Sequence, residues 1–114
     1  MQSNKPNIIV EKTLEFSLLV NEYAELLEEK RKYVIARQLL KSGTSIGANV
    51  REAQNAESKF KLKISAKEAD ETEYWLLLCQ KSKYYPDCSI LQEKFIDINK
   101  ILSKIIASSK RSNK

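Results

Sequence analysis

Histidine is absent from this chain of 114 residues, and cysteine, glycine and proline occur only twice each. Without histidine there is no Ser/His/Asp or Cys/His triad, no histidine zinc site, and none of the Glu-x-x-His ligand pairs that hold di-iron centres in helical bundles. The composition therefore argues against an enzyme and against a resident metal or cofactor. So little glycine and proline cannot supply the turns that a sheet protein needs every eight to twelve residues, which leaves helices. No run approaches the roughly 20 consecutive apolar residues that span a bilayer, and residues 1–7 lack the charged-then-apolar pattern of a secretion signal. The expectation is a soluble, cytoplasmic protein with no membrane partner. Cys79 and Cys88 flank the Tyr85-Pro86 turn, where they are expected to stay two packed thiols in a reducing compartment.

What is present suits one domain: 42% hydrophobic and 31% charged residues in a chain of this length bury roughly 60–70% of the unfolded surface without staples. The net charge of +5 conceals a segregation. Residues 1–29 carry two basic and six acidic side chains, 30–67 ten basic and two acidic, 68–97 three basic and seven acidic, and 98–114 five basic and none acidic. Such patches suit polyanions or acidic protein faces. The competing reading is that lysines solubilise long helices and the patches cancel where acidic and basic helices lie side by side.

Apolar residues recur at helical spacing in four segments, about 9–29, 34–55, 59–83 and 89–107. In the first, Ile9, Phe16, Leu19, Val20, Tyr23, Leu26 and Leu27 share an arc, while Leu14 and Leu18 sit among glutamates and suggest a second contact surface. The second has a core face of Ile35, Leu39, Ile46, Val50 and Ala53. Its Gly43 and Gly47 each cost about 1 kcal/mol against alanine; they fall in a stripe with Ala36 and Leu40 where another helix can approach closely, or they kink the helix. Asn55–Ser58 reads as a turn with Ser58 as N-cap. The third helix is apolar on two sides, with Leu62, Ala69 and Leu76 on one and Phe60, Ile64, Trp75, Leu78 and Cys79 on the other, as a central or interfacial helix would be. In the fourth, Ile90, Leu91, Phe95, Ile98, Ile101, Leu102, Ile105 and Ile106 cover an arc wider than the roughly 100° of an ordinary surface helix. Residues 108–114 read as a basic, disordered tail. Three short connections make the fold an all-α, antiparallel up-down-up-down four-helix bundle occupying residues 1–107. The surplus apolar circumference predicts self-association, with Leu14, Leu18, Gly43, Gly47 and Trp75 at the interface.

Two constellations on the second helix carry functional readings. Ser42, Ser45, Asn49 and Glu52 line the margin of its core face, where Glu68 and Glu71 of the third helix can join them. A structural hydrogen-bond network that fixes helix register is the expectation; a carboxylate site using Glu52, Glu68 and Glu71 is the rival. Arg37, Lys41, Thr44, Ala48 and Arg51 fall in a narrow arc opposite the core, and Lys59, Lys61 and Lys63 add cations from the third helix. A basic stripe can follow phosphates by counterion release, although a merely solvated face fits the same pattern. No aromatic platform or named nucleic-acid motif accompanies it, so sequence-specific readout is not expected.

The run SGTSIGANVREAQNAESK, followed by KISAKEADETEYWLLL, closely resembles the four-helix bundle family of proteins encoded within 23S rRNA intervening sequences. The resemblance spans roughly residues 12–106, and its clearest parts are Ser45–Ala53 and Glu71–Leu76. It implies a bundle that assembles into a ring-shaped homopentamer. The family is distantly similar to the accessory protein of diversity-generating retroelements, a basic pentamer that associates with nucleic acid and a reverse transcriptase. That likeness is at the level of the fold, which does not transmit function; it is the basic middle segment and the Arg37/Lys41/Arg51 stripe that give the leading expectation, a non-catalytic oligomeric bundle that binds RNA or DNA phosphates with little sequence preference. The alternative is a protein-interaction scaffold or accessory subunit for a nucleic-acid enzyme.

Overall fold

The computed structural model describes residues 7–56 and 59–111, with side chains for 7–54 and 60–108. Four helices follow one another: α1 Ile8–Glu29, α2 Tyr33–Ala56, α3 Lys59–Lys81 and α4 Ser89–Arg111. Their alternation in direction is fixed by cross-helix contacts. Asn7 Nδ2 donates to Gln54 Oε1 at 2.5 Å, while Thr13 lies against Gly47 and Val20 against Gly43, so α2 descends as α1 climbs. Lys61 pairs with Glu52 at 2.8 Å, Ser65 Oγ donates to the Ile46 carbonyl at 2.9 Å, and Thr72 is bonded to Ser42, so α3 climbs again. Lys12–Asp97 and Glu15–Lys94 ion pairs set α4 antiparallel to α1. Each helix packs closely along its two neighbours in a square, while the diagonal pairs meet through core side chains such as Tyr23 of α1 and Cys79 of α3.

The core runs along the axis of that square. Phe16, Val20 and Leu27 of α1, Leu39, Ile46 and Val50 of α2, Leu76 of α3 and Ile98 and Leu102 of α4 are almost completely buried. Each such side chain contributes roughly 1.5–3 kcal/mol by leaving water. Phe16 and Phe95 pack across the centre with ring centroids 6.1 Å apart. The buried hydroxyls are placed where helices cross: Ser65 bonds α3 to α2, and Thr13 satisfies itself on the Ile9 carbonyl at 2.7 Å. Among the described residues no buried side-chain nitrogen or oxygen lacks a partner.

Leu27 and Glu28 end α1 in a Schellman arrangement. The Lys32 N–H reaches the Leu27 carbonyl at 2.8 Å and the Arg31 N–H the Glu28 carbonyl at 2.9 Å. Arg31 takes the left-handed conformation this demands, with φ 64°, at a position usually filled by glycine. Lys32 then caps α2, its carbonyl accepting the Ala36 N–H at 3.0 Å. At the same end Lys32 Nζ lies 5.4 Å from the Tyr85 ring centroid, and the Tyr23 hydroxyl donates to the Pro86 carbonyl at 2.6 Å. Both interhelical connections at this end are thereby tied together.

Several boundaries and faces differ from the sequence reading. Asn55 and Ala56 are helical rather than part of a turn; the Ser58 cap lies outside the described residues. Helix α3 stops at Lys81, two residues short of the expected end. Helix α4 continues to Arg111, so residues 108–111 are helical where a disordered tail was expected; nothing in them breaks a helix, and they simply extend α4. Leu26, Phe60 and Ile90, assigned to apolar faces by periodicity, are exposed. A bundle seals only the sector of each helix that points at its axis, and these three project beyond it.

Candidate nucleic-acid interface

Helix α2 is wedged between α1 and α3, so two of its sides are covered and the remainder faces outward. Arg37, Lys41, Ala48 and Arg51 are exposed on that outward side. Thr44 is half-buried beside them, its hydroxyl turned back to the Leu40 carbonyl at 2.7 Å. Between Tyr33 and Arg51 the helix carries no carboxylate, and the described ion pairs use other cations. Fourteen residues separate the first and last of these cations, about 21 Å of helix at 1.5 Å per residue.

The third helix does not extend this stripe. Lys61 is half-buried and turned onto α2, where it holds Glu52. Two residues on, about 200° around the helix, Lys63 is exposed and points away from α2. The Lys59 side chain lies outside the described residues.

The expected polar network is present only in part. Ser42 is buried and bonded to Thr72 at 3.0 Å, while the Thr72 hydroxyl donates to the Glu68 carbonyl at 2.7 Å. Ser45 and Asn49 satisfy themselves on their own helix, at the Lys41 and Ser45 carbonyls. The carboxylates do not join them. Glu52 is held by Lys61, and Glu71 accepts a 3.3 Å bond from Trp75 Nε1 at the surface. Glu68 contributes its backbone carbonyl to Thr72. Sequence reasoning missed the partners that do connect the helices, Thr72 and Ser65; both lie on the buried stripe with Ala69 and Leu76 at helical spacing, which was the available signal. Among the described residues no three potential metal-ligating side chains of the His, Cys, Asp or Glu type gather.

The glycines assigned to an interface between copies belong instead to the α1–α2 seam. A Cβ on Gly43 would lie 3.1 Å from both Val20 methyls, and one on Gly47 would lie 3.1 Å from Thr13 Oγ1 and 3.3 Å from its carbonyl oxygen. Their missing side chains let α1 approach within the same chain. Trp75 is half-buried against the core and meets Tyr74 edge-on, with centroids 5.2 Å apart. Leu14 and Leu18 remain exposed on α1.

A groove of about 550 Å³ opens between α3 and α4, lined chiefly by Glu73, Tyr74, Leu77 and Gln80 on one side and by Phe95 and Ile96 on the other. It continues along α4 towards Lys100 and Lys104. At the connection end, Cys79 and Cys88 are both buried and free. Burial pushes the Cys79 thiol up to about 11, and burial followed by the Asp87 charge raises Cys88. Burial likewise raises the Tyr23 hydroxyl beside them.

No helix of the described structure is long and apolar enough to cross a membrane. Comparison with known proteins agrees with the geometry. A structure of a protein of unknown function from the S23 ribosomal protein family of Bacteroides thetaiotaomicron is 42% identical, covers 86% of this chain and 97% of its own, and superposes with a TM-score of 0.78. No curated protein matches the chain. The family model for 23S rRNA-intervening sequence proteins matches residues 5–106, nearly the whole bundle, and the chain belongs to that family.

Proposed function

We propose that this chain is a non-catalytic, cytoplasmic, oligomeric bundle that holds RNA or DNA by its phosphates, with little sequence preference. The observation that carries the reading is the exposed row of Arg37, Lys41 and Arg51 along a stretch of α2, Tyr33 to Arg51, that holds no carboxylate. About 21 Å of helix spans the rise of roughly six phosphates on one strand of a duplex. Repetition of the row in several subunits adds weak contacts by multivalency. Helices with few fixed base-reading groups position a backbone; they do not read a sequence.

The triple variant Arg37→Glu, Lys41→Glu, Arg51→Glu tests the assignment. Its binding to single-stranded RNA and to duplex DNA, measured across a salt series, should fall. The slope of log affinity against log salt should shrink by about 2–3, since each phosphate contact contributes roughly 0.7–0.9. Unchanged binding and slope would remove these residues from the interface. A partner protein captured through nuclease treatment and high salt, with no polyanion bound, would favour a scaffold for a nucleic-acid enzyme instead.

A further inference from the structure

We propose that the end of the bundle carrying the α1–α2 and α3–α4 connections is a stacking platform, where Tyr33 and Tyr84 receive unpaired bases of a single-stranded polynucleotide whose phosphates then follow the basic row. The proposal rests on the phosphate-binding reading above and names the form of the polyanion and the groups that meet its bases. The fold assembles this end from residues far apart in the chain. Ser42 of α2 is bonded to Thr72 of α3, and the two helices are antiparallel, so nine residues further along each of them Tyr33 stands level with Lys81. Lys32 Nζ lies 5.4 Å from the Tyr85 ring centroid, and the Tyr23 hydroxyl holds the Pro86 carbonyl. Lys32 and Tyr85 are thereby half-buried against each other, while their neighbours in the chain stay outside: Tyr33 is 49% exposed and Tyr84 85%. Tyr33 is also one turn before Arg37 and two before Lys41 on the outward side of α2, so its ring heads the basic row.

The backbone singles out the same two connections. Among the described residues Arg31 and Tyr84 are the non-glycine positions with positive φ, 64° and 67°, one in each connection. Such a turn is most easily made with glycine or asparagine, and a bulky side chain there is an outlier. Both side chains project into water, so the packing of the bundle does not call for either. Strained positions of this kind are kept where a ligand is held. Here they carry a guanidinium, which pairs with phosphate or lies flat on a base, and a phenol ring, which stacks on one.

The charge around the rings suits a polyanion. Lys30, Arg31, Lys81 and Lys83 are exposed in the two connections and the turns that flank them. The carboxylates of the same segments are Glu28, Glu29 and Asp87, and Asp87 is engaged at the start of α4, where it accepts the Ser89 hydroxyl at 2.6 Å and the Ser89 N–H at 3.3 Å. Every base has a π-face, so a tyrosine platform accepts a strand without reading its sequence, which matches a row that meets phosphates alone. In a duplex the bases already stack on one another and their faces are taken. The platform therefore selects single strands, and the basic row by itself does not.

The experiment measures binding of single-stranded RNA and DNA oligonucleotides, and of a closed circular duplex that has no end to stack on, by the wild type, Tyr84→Asn, Tyr84→Phe and Tyr33→Ala. Asparagine is at ease with a positive φ, so Tyr84→Asn should unfold at the wild-type temperature or above it. Its affinity for both single strands should nevertheless fall about tenfold, as should that of Tyr33→Ala. The slope of log affinity against log salt should not change, because no cation is lost. Tyr84→Phe keeps the ring and should bind as the wild type does, and duplex binding should be the same for all four chains. A Tyr84→Asn chain that binds single strands like the wild type, or that loses duplex binding equally, overturns the platform; if the Arg37/Lys41/Arg51 variant still loses binding and slope, the phosphate row stands without it. Conversely, a loss confined to the tyrosine variants upholds the platform and removes the row. A wild type that binds none of these nucleic acids overturns both.

Discussion

Two seams on opposite sides of this bundle are built from different kinds of residue and close to different degrees. Between α1 and α2, Gly43 and Gly47 admit Val20 and Thr13 to within contact of the α2 backbone, and the seam is closed. Between α3 and α4 neither helix has a glycine, Tyr74, Leu77 and Ile96 stand partly clear of each other, and a groove remains. Glycine in a helix sacrifices propensity for proximity, and the sacrifice is rewarded only where another backbone arrives. Large apolar side chains left in the open are the complementary signature, of a surface that its own chain does not cover. The first seam is closed within the chain; the second leaves apolar side chains in the open.

The largest effect should come from removing the same side chain on either side of that contrast. Leu39 of α2 is fully buried between α1 and α3, whereas Leu91 lies near the start of α4, slightly exposed. Leu39→Ala should cost about 4–5 kcal/mol in urea unfolding, and Leu91→Ala about 2–3 kcal/mol, because α4 has more room to settle into the space left behind. Equal costs would show that the α4 side is as tightly held as the α2 side.

A smaller effect tests the closed seam directly. Gly47→Ala gains about 1 kcal/mol of helix propensity but places a methyl 3.3 Å from the Thr13 carbonyl oxygen, an atom of the α1 backbone that cannot rotate aside. Overpacking of this kind costs about 1–3 kcal/mol, so a net loss of about 1 kcal/mol is expected in thermal or urea unfolding. A stabilised variant would mean that α1 can move off α2 without loss.

The smallest effect concerns the end of the open seam. Burial holds the Cys79 thiol at about 11, above its ordinary value of 9.0. Because the folded value is the higher one, the associated stability is fully present below about pH 9 and is lost as the pH rises towards 11. Stability should therefore be level near neutrality and decline over that alkaline window, and Cys79→Ala should flatten the decline. Below pH 8 both native thiols should react with iodoacetamide far more slowly than in urea, since they are protonated as well as buried.

Much of the bundle was legible in the residues. Helical spacing located four helices to within a few residues, and it identified Leu39, Ile46 and Val50 as the buried side of α2. It went wrong where a position is apolar but not directed at the axis: Leu26, Phe60 and Ile90 satisfy the periodicity and stay in water. The functional constellations were less legible. Arg37, Lys41 and Arg51 are exposed together as their spacing implied, because residues on one helix keep their relative directions whatever packs beside it. Lys61 and Lys63 belong to another helix, and α3 is rotated so that the first grips Glu52 and the second faces away from it.

The sequence by itself determined the elements, their order, the buried stripe of α2 and the one-sided charge of that helix, since these follow from local periodicity and composition. Only the tertiary structure decided that Gly43 and Gly47 serve this chain's own α1, that Ser42 finds Thr72 while the carboxylates look elsewhere, and that α3 and α4 leave a groove. Those outcomes depend on how each helix is rotated about its axis and which neighbour it meets. That rotation is settled by packing among residues far apart in the chain, which no single helix records.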